Sequence, residues 1–173
     1  MIRRTPKPKI YLIFLAFSMM AFSSCISYSF TGASIPPEAK TIRIDYFENH
    51  ADFVNPTLSE TLTTAIRDRF TSQTSLVLVR QNGDLQISGT ITDYKSTPQA
   101  ITGNETAALN RLSITVKVTF VNLIEPDKDY ETSFTRYEEY DSNYDLAEVQ
   151  DALIESINEM IVDDIFNKAV VNW

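Results

Sequence analysis

The alternation of apolar and polar residues, and its changes of period, divide the chain into elements. Thr41 to Phe47 (TIRIDYF) sets Ile42, Ile44 and Tyr46 against polar neighbours, a period of two that predicts a strand. Asn55-Pro56 follows, a capping residue and a proline suited to the first helical position. Leu58, Leu62, Ala65, Ile66 and Phe70 then recur at helical spacing, with Glu60, Arg67 and Asp68 facing away, which predicts a helix from Pro56 to about Ser72. Leu76 to Arg80 (LVLVR) reads as a short strand, and Gln81-Asn82-Gly83-Asp84 as an Asn-Gly hairpin turn into the next one. There Leu85, Ile87, Gly89 and Ile91 alternate with Gln86, Ser88, Thr90 and Thr92, a half-buried strand.

Ser96 to Asn110 is polar and weakly patterned, and is expected to be a long loop. Leu112, Ile114, Val116, Val118 and Phe120 then alternate with Arg111, Ser113, Thr115, Lys117 and Thr119, the clearest strand pattern in the chain. Glu125 to Asp129 turns it back into a strand over Tyr130 to Tyr140 that carries Phe134. Asp145 and Glu148 have capping-box spacing and open a long helix. Leu146, Val149, Leu153, Ile157, Met160, Ile161, Ile165 and Ala169 form its buried stripe, and Asp151, Glu155, Glu159 and Asp163 its wet face. The order β-α-β-β-β-β-α predicts an α+β domain: a single mixed or antiparallel sheet of four to five strands, with both helices packed on one face so that each apolar stripe is buried.

That packing leaves the other face of the sheet to Ser88, Thr90, Thr92, Ser113, Thr115, Lys117, Thr119 and Thr135. Branched Thr is favoured on any pleated surface, so the face reads either as an ordinary solvated one or as a contact surface for something polar, such as a barrel lumen.

The N-terminus breaks the domain pattern. Arg3, Arg4, Lys7 and Lys9 precede an apolar run from Ile10 to Phe22, as in the n- and h-regions of a secretory signal. The run is shorter than the ~20 residues a membrane-spanning helix needs. Ser23-Ser24-Cys25 follows where a cleavage site belongs, so residues 1–24 are expected to be removed and Cys25, the single cysteine, to carry lipid. Residues 25–40, with Pro36-Pro37 near their end, are read as a lipidated tether and residues 41–173 as the folded domain. Ile26 stands where some bacteria place the Asp that retains lipoproteins at the inner membrane, so the expected location is the outer membrane, lipid-anchored and facing the periplasm.

Charge narrows the function classes. All four basic residues before Cys25 leave with the signal, so 11 basic residues face 23 acidic ones in the remainder, a formal charge of −12. A field of that sign repels nucleic acid. Chemistry is equally sparse: the one histidine, His50, falls in a polar turn without a metal-binding or nucleophile motif, and four glycines form no phosphate-cradling run. No catalytic residue, metal or cofactor is expected.

Gly83-Asp84-Leu85, Ile87 to Tyr94 (ISGTITDY), Asn110 to Phe120 (NRLSITVKVTF) and Asp164 to Trp173 (DIFNKAVVNW) resemble, in this order, the outer-membrane lipopolysaccharide-assembly lipoprotein family, LptE-like. The resemblance also takes in Cys25 and the Asn55-Pro56 helix entry. It implies a lipoprotein that plugs a large outer-membrane β-barrel translocon (LptD-like), assists its assembly, and helps deliver lipopolysaccharide. If lipopolysaccharide is contacted, Arg111 and Lys117 are the candidates, since six residues along a strand place them on one face about 20 Å apart. Lys95 and Lys128 are lesser candidates. The alternative function is a periplasm-facing lipoprotein that scaffolds or pilots another envelope transport or secretion complex.

Overall fold

In the computed structural model of the chain, the described residues are 35–53, 55–99 and 108–170. The strands are β1 (Thr41–Ile44), β2 (Glu48–Asn49), β3 (Val77–Val79), β4 (Leu85–Pro98), β5 (Leu109–Asn122) and β6 (Tyr130–Asp141). The helices are α1 (Leu58–Gln73) and α2 (Leu146–Val170), and a 3-10 turn, Pro126–Lys128, joins β5 to β6. All six strands form one mixed sheet in the order β3-β1-β4-β5-β6, with β2 also paired to β4. The class is α+β as the periodicity predicts, with the two-residue β2 added to the expected strands.

The hairpin expected at Gln81–Asp84 does not form. β3 and β4 lie on opposite sides of β1 and both run parallel to it, with Ile42 level with Leu78 on one side and with Leu85 on the other. Residues 80–84 therefore cross β1 instead of folding β4 back on β3. Asn82 takes a left-handed conformation (φ 53°), so the local turn chemistry is present. The crossing is close, because a Cβ on Gly83 would lie 2.5 Å from the backbone nitrogen of Arg43. Only glycine permits that approach.

β4 and β5 pair antiparallel from Leu85↔Asn122 to Pro98↔Asn110, with one irregularity between Ile91 and Asp93. Thr92 is the extra residue of this bulge, which reverses the in-out parity beyond it. Tyr94 consequently points to the core and is buried. Strand pairing also runs through Ser96 to Pro98, residues expected in the loop, and Ser96 Oγ lies 2.7 Å from Tyr140 Oη.

The core lies between the sheet and the helices. Ile42, Ile87, Ile114 and Val116 from the sheet meet Leu62, Ile66 and Phe70 of α1 and Ile157, Ile161 and Ile165 of α2, all fully buried. Phe70 and Phe166 pack edge to face at 5.1 Å between the helices. Asn55 caps α1, its Oδ1 accepting the N–H of Thr57 at 2.9 Å and of Leu58 at 3.2 Å. Asp145 Oδ1 accepts the Ala147 N–H at 3.0 Å at the start of α2. The buried surface of α2 is wider than a single stripe, since Ile154, Asn158, Val162 and Phe166 are buried too and face α1. Packing begins before Thr41, with Ala39 only 4% exposed.

Candidate functional site

With both helices on one side, the other side of the sheet is an open face built by three long strands. Register sets it out in rows across β4, β5 and β6. Asp93, Thr115 and Thr135 form one row, Thr90, Lys117 and Ser133 the next, and Ser88, Thr119 and Glu131 the next. Toward the other end lie Lys95, Ser113 and Tyr137, then Thr97, Arg111 and Glu139. The hydroxyl-rich face read from the alternation is therefore real, and the bulge at Thr92 adds Asp93 and Lys95 to it. The Thr115 and Thr135 hydroxyls bond across strands at 2.9 Å.

Each cation on the central strands has a carboxylate beside it. Lys117 Nζ is 2.7 Å from Glu131 Oε1. Arg111 Nη2 and Nε both donate to Glu139 Oε1, at 2.6 and 3.2 Å, while its guanidinium covers the Tyr137 ring at 4.0 Å. Lys95 Nζ is 2.6 Å from Asp93. The hydrogen bond from Lys117 and its charge hold the Glu131 carboxyl below the usual range. Arg111 and Lys117 share one face, as their spacing requires, but each is matched by a glutamate of β6. Sequence reasoning missed Glu131 and Glu139, because their register depends on how the Pro126–Lys128 turn closes. Lys128 lies in that turn, paired with Glu125 at 2.9 Å, and does not join the others on the face.

The face is thus polar, rich in hydroxyls and internally charge-balanced. It suits a broad contact with another polar surface, and an anion reaching Arg111 or Lys117 exchanges with a glutamate. His50 is exposed and lies 3.1 Å from Glu48, which β2 sets level with Thr90 at the edge of this face. Among the described residues no group of three His, Cys, Asp or Glu side chains is arranged to hold a metal ion, and no helix is long and apolar enough to cross a membrane. Cys25 and the first 24 residues lie outside the described residues.

A family model described as Lipopolysaccharide-assembly, LptE, matches residues 39–169. A search of curated proteins finds no match. Among solved structures, a hypothetical protein from Chlamydia trachomatis is similar with a TM-score of 0.51 and 9% identity, over 75% of this chain and 97% of its own. A neuraminyllactose-binding hemagglutinin homolog from Helicobacter pylori is similar with a TM-score of 0.51 and 8% identity, over 79% and 86%. A minor lipoprotein from Acinetobacter baumannii is 15% identical over 76% and 96%, with a TM-score of 0.47. The first two likenesses show a shared fold.

Proposed function

The chain belongs to the LptE family of lipopolysaccharide-assembly proteins, and from that premise we propose that it is an outer-membrane lipoprotein that plugs and helps assemble a large β-barrel translocon (LptD-like) for lipopolysaccharide. The observation that carries this reading is the open face of the sheet. Its hydroxyls and matched ion pairs offer neither an apolar patch nor an excess of charge. Such a surface complements the polar interior of an outer-membrane barrel.

Cys25 supplies the anchor in this account. Acyl chains contribute about 0.8 kcal/mol per buried methylene, so two or three of them hold the domain at the membrane without a spanning segment. The domain faces the periplasm and reaches its partner from there. Arg111 and Lys117 provide the contacts to lipopolysaccharide. Their ion pairs are solvent-exposed, and such pairs contribute only about 0–1 kcal/mol, so a phosphate can exchange for the glutamate at small cost.

Affinity purification of the tagged, lipidated chain in mild detergent tests the proposal. A near-equimolar outer-membrane β-barrel protein is the expected companion. Recovery of a different envelope complex in its place would assign the chain to that machine.

A further inference from the structure

On the side of the molecule opposite the open face, α1 and α2 enclose a groove of about 870 Å³ that is open to solvent. Its walls carry carboxylates from both helices: Glu60 and Asp68 from α1, and Asp151, Glu155 and Glu159 from α2. The α2 set recurs every four residues, one helical turn, or about 6 Å at 1.5 Å per residue. Like charges at that spacing destabilise a helix, and here a second wall of the same sign faces them. Arg69 is the one cation among the lining residues, and it is already paired with Asp163. None of the five wall carboxylates forms an ion pair among the described residues.

The groove also contains an unmatched polar atom. Asn158 lines it and is 97% buried, its Nδ2 donating to Thr61 Oγ1 at 3.2 Å. Thr61 uses its own proton on the Leu58 carbonyl at 3.1 Å, so its oxygen can only accept from Asn158. With that proton on Leu58, Asn158 Oδ1 is the buried acceptor that has no donor among the described residues. A buried polar group left unpaired costs about 1–3 kcal/mol.

We propose that the groove between α1 and α2 is the docking site of a basic segment of a partner polypeptide, whose Lys or Arg side chains meet the two carboxylate walls and donate to Asn158 Oδ1. Charge complementarity selects the occupant. The carboxylates are spread along the helices and do not converge on one point, which excludes a single metal ion as the counter-charge. Lys or Arg at every fourth position of a helix repeats at the same ~6 Å as Asp151, Glu155 and Glu159. The groove and the open face are on opposite sides of the sheet, so both can be occupied at once.

A fluorescent 15-residue peptide with Arg at every fourth position in an Ala/Gln background is the probe, titrated by anisotropy against the lipidated protein in nonionic detergent. The triple variant Asp151→Asn/Glu155→Gln/Glu159→Gln is expected to weaken binding at least tenfold. Asn158→Leu, which removes the orphan oxygen, is expected to weaken it at least threefold. Glu60→Gln/Asp68→Asn tests the opposite wall and serves if the triple variant does not fold. Equal weakening by Glu131→Gln/Glu139→Gln on the open face would mean general charge attraction and overturn the proposal. Unchanged binding in the groove variants, or displacement of the peptide by an equal concentration of spermidine, would also overturn it.

Discussion

Thr41 and Asp84, 43 positions apart, bond each other in both directions: Thr41 Oγ1 donates to Asp84 Oδ2 at 2.8 Å and accepts the Asp84 N–H at 3.0 Å. The same carboxylate oxygen accepts the N–H of Lys40 and of Thr41, each at 2.9 Å. Asp84 thereby fastens the start of β1 to the start of β4. These bonds, the Lys40 N–H foremost, hold its carboxyl below the ordinary value of 3.8. A carboxyl lowered on folding stabilises the fold above its unfolded pKa, and that contribution is lost as pH falls through the folded value. Asp84→Asn is expected to lower the melting temperature at pH 7, with the gap to the wild type closing as the pH is taken below 3.8. Thermal melts of both proteins from pH 2 to 7 check this.

Gly89 sits beneath Phe47, and a Cβ there would lie 2.5 Å from the ring's Cε1 and collide with the Lys117 carbonyl oxygen. Phe47 is fully buried and its N–H is held by Thr63 Oγ1 at 3.1 Å, so the ring cannot withdraw freely. Overpacking a filled core costs about 1–3 kcal/mol. Gly89→Ala is expected to lose about 3 kcal/mol in urea unfolding, while Ser88→Ala on the open face stays within about 0.5 kcal/mol of the wild type.

Tyr130 stacks on Phe120 at 5.3 Å, yet among the described residues its buried hydroxyl has no hydrogen-bond partner. Burial also raises its pKa, so the hydroxyl remains protonated throughout the neutral range. Removing an unsatisfied buried hydroxyl while keeping the ring relieves a desolvation cost. Tyr130→Phe is expected to gain about 1 kcal/mol in urea unfolding at pH 7.

These sites mark what was legible in the sequence. The alternation from Arg111 to Phe120 needed no context, and it placed Arg111 and Lys117 on one face correctly. Their glutamate partners depend on a cross-strand register that no local pattern encodes. Asn82-Gly83 signalled a turn, and a turn is there, but the same residues serve a hairpin or a close crossing. What decides between them is the insertion of β1 between β3 and β4, a contact across some forty residues. The bulge at Thr92 was hidden for the same reason: one strand's alternation does not reveal where its neighbour skips a residue. Asp151, Glu155 and Glu159 read as a wet helix face because one helix cannot show that Glu60 and Asp68 of another lie opposite.

The proposed lipopolysaccharide contact rests on Arg111 and Lys117. The variant Arg111→Glu/Lys117→Glu sets like charges against Glu139 and Glu131 and is expected to lower affinity for purified lipopolysaccharide at least tenfold, measured by filter binding. Circular dichroism should show the fold retained, since both pairs are exposed. Unchanged affinity would remove these residues from the ligand site.

The central claim is that the open face of the sheet meets the inside of a β-barrel, and a photo-crosslinking amino acid at Thr115 tests it most directly. Thr115 lies in the middle row of that face, between Asp93 and Thr135. Irradiation of cells carrying the crosslinker there is expected to yield one major adduct to a large, heat-modifiable outer-membrane β-barrel protein. Absence of such an adduct, with the protein correctly lipidated and folded, would contradict the account.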